Sequence, residues 1–231
     1  SSSTGTSGSR ANPFFMVVEH GSSEEHGECY GFNLIYSGDH MESCEQNSYG
    51  RMRILSGINP EGFSFALEPG QSFQSPEAVM TYSDSGFGGV SSHMHAFVRR
   101  HIVRGHWADR ERPVLLNSWE AAYFDINEKK LLKLAKEAKK CGIELFVMDD
   151  GWFGKRNKDD SSLGDWVVNE EKIKGGLKNL VDKVNEIGLE FGIWFEPEMI
   201  SPDSDLYREH PDWAIAIPGR AGSLCRNQYV L

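Results

Sequence analysis

The chain has 231 residues, 39% hydrophobic and 11% aromatic, which is enough for a proper core in one large domain or two modest ones. Its net charge of −10 argues against nucleic acid or an anionic membrane surface as a partner, because phosphate binding relies on clustered Lys and Arg. The basic residues that do cluster, Arg99, Arg100, Arg104, Arg110 and Arg112, are interrupted by Asp109 and Glu111, as on a solvated surface. No apolar run reaches the about 18 residues of a membrane span, and residues 1–9 lack the apolar segment of a signal peptide. Four scattered cysteines without metal or redox spacing fit a reducing compartment, so the expected location is the cytoplasm.

From about Glu28 to Tyr82 the pattern reads as β structure. Residues 29–36 are aromatic and β-branched and run into the turn Ser37-Gly38-Asp39. Residues 52–55 and 63–67 follow as strands, bounded by Gly57, Asn59-Pro60 and Pro69-Gly70. Short strands between turn residues predict an antiparallel sandwich portion over 1–87. Residues 88–105 read as a helix with Met94, Val98 and Ile102 on one face, placing a helical connection at 88–112.

Beyond Pro113 strand and helix alternate. Val114-Leu115-Leu116 is a short buried strand, and the helix that follows from about Asn127 to Cys141 sets Leu131, Leu134, Ala135 and Ala138 on one face. Leu177, Leu180, Val181, Val184 and Ile187 do the same for the next helix. Asn127 has the chemistry of an N-cap, and Gly142 and Gly188 stand where helix-ending glycines belong. The apolar strand 145–148 ends at Asp149-Asp150-Gly151-Trp152-Phe153, and the same register recurs from Gly188 to Trp194-Phe195-Glu196. A fourth strand begins at Gln228. Such alternation predicts a parallel sheet in an α/β fold, and 113–231 is about half of the roughly 250 residues of a (β/α)₈ TIM barrel. An open α/β sheet is the alternative, but no glycine-rich nucleotide fingerprint follows a strand.

Ligands of parallel α/β folds sit at the carboxyl ends of the strands, where this chain places acids beside aromatics. Aromatic faces stack on the C–H patches of a sugar while carboxylates accept from its hydroxyls. Asp149 and Asp150 are the first candidates; the competing role is a turn in which one Asp caps the following loop. Trp194 is either a stacking wall or a core aromatic. Trp119 and Glu120 occupy the end of the first strand, Glu196 and Glu198 flank Pro197 as sugar contacts or turn-stabilising ions, and Arg226 stands just before the fourth strand. Asp149, Asp150, Glu196 and Glu198 could also hold Mg²⁺ through oxygen, which is the minor alternative. His93 and His95, two apart, point to different sides of a helix and read as surface residues. No metal and no cofactor is expected.

Five segments then resemble one family: Asn-Ser-Trp-Glu-Ala-Ala-Tyr-Phe-Asp (117–125), Met-Asp-Asp-Gly-Trp-Phe-Gly (148–154), Gly-Ile-Trp-Phe-Glu-Pro-Glu-Met (192–199), His-Pro-Asp-Trp (210–213) and Arg-Asn-Gln-Tyr-Val-Leu (226–231). In order and spacing they are similar to the α-galactosidases of glycoside hydrolase family 36. Asn12-Pro13-Phe14, residues 28–32 and Tyr36-Ser37-Gly38 resemble the end of that family's large β-supersandwich domain. The resemblance implies the C-terminal part of that domain at 1–87 and the first three to four strands of the catalytic barrel, truncated, at 113–231. It implies a retaining hydrolase of terminal α-galactosides such as melibiose and raffinose, with tetramers common among related enzymes. By the same resemblance Asp149 and Asp150 grip the galactose 4- and 6-hydroxyls, Trp194 is an aromatic wall, Arg226 contacts substrate and Trp119 lies near the site mouth.

The family's nucleophile is the Asp of Lys-Trp-Asp-x-Asn-Arg, and nothing in this chain matches it. Retaining hydrolysis needs two carboxyl groups roughly 5–5.5 Å apart. Both are expected beyond Leu231, so no residue here is assigned as catalytic. A noncatalytic galactose-binding protein, a galactosyl transferase, an α-N-acetylgalactosaminidase and a metal-dependent barrel enzyme stay open as alternatives. Half a barrel would leave an open sheet edge, so this piece alone is expected to be poorly soluble.

Overall fold

In the computed structural model, which describes residues 1–231 apart from Ala221 and Ser223, contacts divide the chain into two units, Ser1–Arg110 and Glu111–Leu231. The first is built on antiparallel strands: β1 (Phe14–Val18), β2 (Cys29–Ile35), β3 (His40–Gln46), β4 (Met52–Ile58) and β5 (Glu77–Ser83). β2 is the centre of a three-stranded sheet in the order β1-β2-β5, and β3 pairs with β4 as a separate ribbon. Helix α1 (Gly86–Phe97) covers one face of the larger sheet. Its approach is closest at Gly31, where an added Cβ would meet Val90 Cγ1 at 2.6 Å, so the packing requires glycine there. The other face presents Phe15 stacked on Phe32 and Tyr30 beside Tyr82, both pairs 5.0 Å apart.

Two expectations for this unit need correction. Residues 63–67 form no strand; Phe63 and Phe65 pack on Phe73 at 5.7 and 4.7 Å, and the Pro and Gly punctuation around them leaves no partner strand to complete a ladder. The helix expected to run to Gly105 leaves α geometry at Phe97 and continues as one π turn, Val98–Ile102. Val98 and Ile102 are 41% and 40% exposed and form no buried stripe.

The second unit contains β6 (Leu115–Asn117), α2 (Trp119–Ala122), α3 (Glu128–Lys140), β7 (Leu145–Met148), α4 (Gly176–Glu186), β8 (Glu190–Ile193), β9 (Met199–Ile200), α5 (Asp205–Glu209) and β10 (Tyr229–Val230). β6, β7 and β8 form a parallel sheet with β7 in the middle. Asn127 caps α3 by accepting from Lys130 N at 3.0 Å. Gly142 (φ 82°) and Gly188 (φ 90°) end the two long helices in the left-handed conformation that side chains avoid. Leu131 and Ala135 of α3 and Leu180 and Val184 of α4 share a core with Phe146, Met148, Trp152, Leu163 and Ile173, and Ala138 of α3 is buried as well. Full burial of each large side chain contributes about 1.5–3 kcal/mol.

The fourth strand is not part of this sheet. Tyr229 and Val230 do form a strand, but it pairs antiparallel with Met199–Ile200, because the chain turns back at Cys225–Gln228 through two bonds of 2.8 and 3.0 Å. The parallel sheet therefore has three strands among the described residues. No helix of the described residues is long and apolar enough to cross a membrane.

Candidate functional site

Parallel pairing puts the carboxyl ends of β6, β7 and β8 on one side. Asn117 is in register with Val147, and Met148 with Ile193. Ser118 N then bonds Val147 O at 2.9 Å and Trp194 N bonds Met148 O at 3.0 Å, so the three strand ends stay in step as they leave the sheet. Trp119, Asp149, Asp150 and Trp194 follow directly from these ends, which gathers four of the five candidate residues by backbone register alone.

Asp149 is half-buried. Its Oδ1 accepts from Asp150 N at 2.7 Å and its Oδ2 from Asn117 Nδ2 at 2.5 Å. Asn117 is itself held by Trp119 N, which donates to its Oδ1 at 2.7 Å. A carboxylate has about four acceptor positions, so Asp149 keeps capacity for two further donors.

Asp150 is buried and held differently. Arg156 Nε donates to Oδ1 and Oδ2 at 3.0 and 3.1 Å, Arg156 Nη2 donates to Oδ2 at 2.8 Å, and Gly151 N donates to Oδ1 at 2.7 Å. Arg156 belongs to the long connection 149–175 between β7 and α4, which beyond the motif 148–154 carries no assignment from the sequence. The connection is closed from within by Lys172, whose Nζ donates to the carbonyls of Phe124, Gly151 and Arg156 at 3.2, 2.8 and 3.0 Å. Burial lowers the Lys172 pKa against the opposing pull of Asp150 and Asp125.

Arg226 sits in the two-residue turn between Cys225 and Gln228, where it (φ 51°) and Asn227 (φ 65°) both adopt left-handed backbone. Its Nη2 reaches Asp159 Oδ1 at 3.1 Å and Glu196 Oε2 at 3.2 Å. Asp159 Oδ1 also lies 3.3 Å from Arg156 Nη2. Carboxylates and guanidinia thus alternate from Asp150 through Arg156, Asp159 and Arg226 to Glu196, and this chain connects Arg226 to the strand-end acids. Glu196 is buried, which raises its carboxyl pKa; Arg226 opposes the shift and Glu198 adds to it.

Trp194 is half-buried. It packs against the core and lies 6.3 Å from Trp166, while its carbonyl accepts from Trp152 Nε1 at 3.1 Å. Trp119 stands edge-on to Tyr123 and Phe124 at 5.1 and 5.0 Å. The four acids weighed as Mg²⁺ ligands do not converge: Asp150 is taken by Arg156 and Glu196 by Arg226. Among the described residues no three His, Cys, Asp or Glu side chains group as a metal site. His93 is an exposed residue bonded to Thr81 Oγ1 at 3.0 Å. The cavities beside α2 and α3, of about 360 and 740 Å³, are lined from 121–137 and from 122–127 with Asn157, Glu171 and Lys172, and neither includes the strand-end acids. At the carboxyl ends of the strands Asp150 and Glu196 are buried and Asp149 is half-buried.

Asn117, Arg156, Asp159 and Lys172 were missed in the sequence. Asn117 stood inside a quoted motif and could have been found there. The other three lie in an aperiodic connection, where nothing but the folded loop brings them to Asp150.

Comparison with known proteins identifies the family of the chain. A family model described as Melibiase matches residues 72–231, and one described as the glycosyl hydrolase family 36 N-terminal domain matches residues 1–68. The chain is 51% identical over 227 residues to alpha-galactosidase AgaA of Geobacillus stearothermophilus, covering 98% of this chain and 31% of that protein. It is 49% identical to alpha-galactosidase Mel36A of Lactobacillus acidophilus, covering 100% of this chain and 32% of that one. The crystal structure of AgaA superposes with a TM-score of 0.92 over 95% of this chain and 31% of its own. This chain thus spans about a third of the length of the relatives it matches. With the Melibiase match running through more than half of its residues, the chain belongs to the melibiase family of glycoside hydrolase family 36.

Proposed function

We propose that the full-length protein is a retaining α-galactosidase that releases terminal α-linked galactose from oligosaccharides of the melibiose and raffinose type, and that this chain supplies the sugar-binding side of its site. The observation that carries the reading is the adjacent pair Asp149-Asp150 at the end of β7, beside Trp194, in a chain of this family. Variants of the Geobacillus AgaA have been solved in complex with stachyose and with raffinose, which supports the same substrate class. Asp149 and Asp150 accept from the galactose 4- and 6-hydroxyls, Trp194 forms an aromatic wall, Arg226 contacts the sugar and Trp119 borders the mouth. The nucleophile and the acid/base are assigned outside residues 1–231. In this division 1–87 is the end of a β-supersandwich domain, 88–112 a connection and 113–231 the first half of the barrel. A cytoplasmic homotetramer completes the reading; the free state of all four cysteines is compatible with that compartment.

The test is hydrolysis of p-nitrophenyl α-galactoside and raffinose by the full-length protein, with the anomer of the released galactose followed by NMR. Release of α-galactose first is the expected result. Galactose binding without hydrolysis would turn the reading to a binding protein, and dominant transfer to an added sugar acceptor would turn it to a galactosyl transferase.

A further inference from the structure

We propose that Arg156 is a positioning residue for sugar recognition: it fixes the carboxylate of Asp150 in the one orientation that can accept from a substrate hydroxyl. The inference rests on the reading that Asp150 bonds the sugar.

Arg156 is fully buried, which is costly for a cation unless its charge and every N–H are satisfied. All five of its donors have partners. Nε and one Nη2 hydrogen go to Asp150, the second Nη2 hydrogen faces Asp159 Oδ1, and Nη1 donates to the carbonyls of Asp159 at 2.5 Å and Ser161 at 2.8 Å. The guanidinium carbon lies 5.4 Å from the centre of the Phe124 ring, which backs it from the α2 side. A planar group fixed at five points cannot rotate, and the carboxylate that it grips cannot rotate either.

The bonds also determine what Asp150 can still do. Oδ1 accepts from Gly151 N and Arg156 Nε, while Oδ2 accepts from Arg156 Nη2 and shares Nε. With about two acceptor positions per oxygen, Oδ1 is filled, and Oδ2 keeps at most the one position it half-shares with the Nε hydrogen. Asp150 is thereby specified for a single hydroxyl, whereas Asp149, whose two bonds come from a backbone N–H and Asn117, has room for two. Without the fork, Asp150 would turn toward other donors and the hydroxyl would lose its partner.

The experiment compares the full-length wild type with Arg156→Lys, Arg156→Met and Asp150→Asn on p-nitrophenyl α-galactoside and on its 4-deoxy and 6-deoxy analogues. Lysine keeps the charge but cannot bridge both oxygens with parallel N–H groups. A displaced binding group costs about 100-fold in catalytic efficiency. We expect that loss for Arg156→Lys on the parent galactoside, mainly in kcat/KM. At least one deoxy analogue should lose about tenfold less, because the group it lacks is the one Asp150 serves. A residue that only stabilised the fold would slow all three substrates equally, and equal losses overturn the proposal. If Asp150→Asn leaves the deoxy penalties at their wild-type size, the underlying reading of Asp150 fails. If Asp150→Asn collapses them while Arg156→Lys and Arg156→Met do not, only the positioning role fails. Should neither Arg156 variant melt cooperatively, the residue serves folding and the proposal is overturned. Recovery of Arg156→Met activity by added guanidinium, with the deoxy penalty restored, supports it.

Discussion

Arg226 Nη2 lies 3.2 Å from Glu196 Oε2, so a turn of two left-handed residues is tied directly to the loop that follows β8. Non-glycine residues in that backbone region cost about 1 kcal/mol or more each and persist where surrounding contacts hold them. Here the contacts are Glu196 and Asp159 on one side and Gln228 on the other, whose Nε2 donates to Asp159 O at 2.5 Å. The strain thus sits at a residue assigned to the sugar, and the ions that hold it connect with Asp150.

Glu196 makes this connection sensitive to pH. Its carboxyl is raised above the ordinary 4.5 by burial, with Arg226 opposing. A raised carboxyl binds its proton more tightly in the folded state, so its stabilising contribution, present below 4.5, is lost as pH rises through the folded-state value. In the full-length protein Glu196→Gln removes this loss. The expected outcome is that Tm of the variant minus Tm of the wild type increases with pH above 4.5. A difference that stays flat with pH contradicts the assignment.

Asp149→Ala removes a carboxylate that retains two open acceptor positions. A site built to bond a hydroxyl loses far more than an apolar pocket does when one partner is missing. We expect kcat/KM on α-galactosides to fall about 100-fold or more, with weaker galactose inhibition, and a normal thermal melt. Unchanged kinetics would remove Asp149 from the site.

Lys172→Met leaves three carbonyls, those of Phe124, Gly151 and Arg156, without their shared donor. Each unsatisfied, partly buried acceptor costs about 1–3 kcal/mol at most, and the half-buried setting places the total near the low end. Denaturant unfolding should show about 3 kcal/mol of lost stability, with faster proteolysis inside 149–175. A variant as resistant as the wild type would show that the aromatic cluster alone holds the loop.

Asn127→Ala deletes the side-chain cap on α3. The expected cost is about 1 kcal/mol, read as a lower denaturant midpoint at constant slope. Activity should be unaffected, since Asn127 makes its bond to Lys130 N and stands outside the acid network. A change in KM without a change in stability would contradict this account.

The second unit was legible because its signals are local. Leu131, Ala135 and Ala138 recur at helical spacing, Asn127 and Gly142 punctuate the helix, and the run 145–148 is apolar throughout; the structure places each as those patterns predict. In the first unit the reading was coarser. It fixed on residues 63–67, where aromatics pack among themselves, and gave no individual strand to 14–18, 40–46 or 77–83: the last two are of mixed polarity, and the first is a short, wholly apolar run without alternation.

What the sequence determined by itself was the order of elements, the helix ends and the acids and aromatics at the strand termini, all set by side-chain chemistry within a few residues. Tertiary structure alone decided the rest. It turned 229–230 back onto 199–200 instead of adding it to the parallel sheet. It also brought Arg156 onto Asp150, and Arg226 onto Glu196 across 30 residues of chain. A buried carboxylate must find a cation, but where along an aperiodic loop that cation lies depends on how the loop closes. Chain closure is a property of the folded path, and no local pattern encodes it.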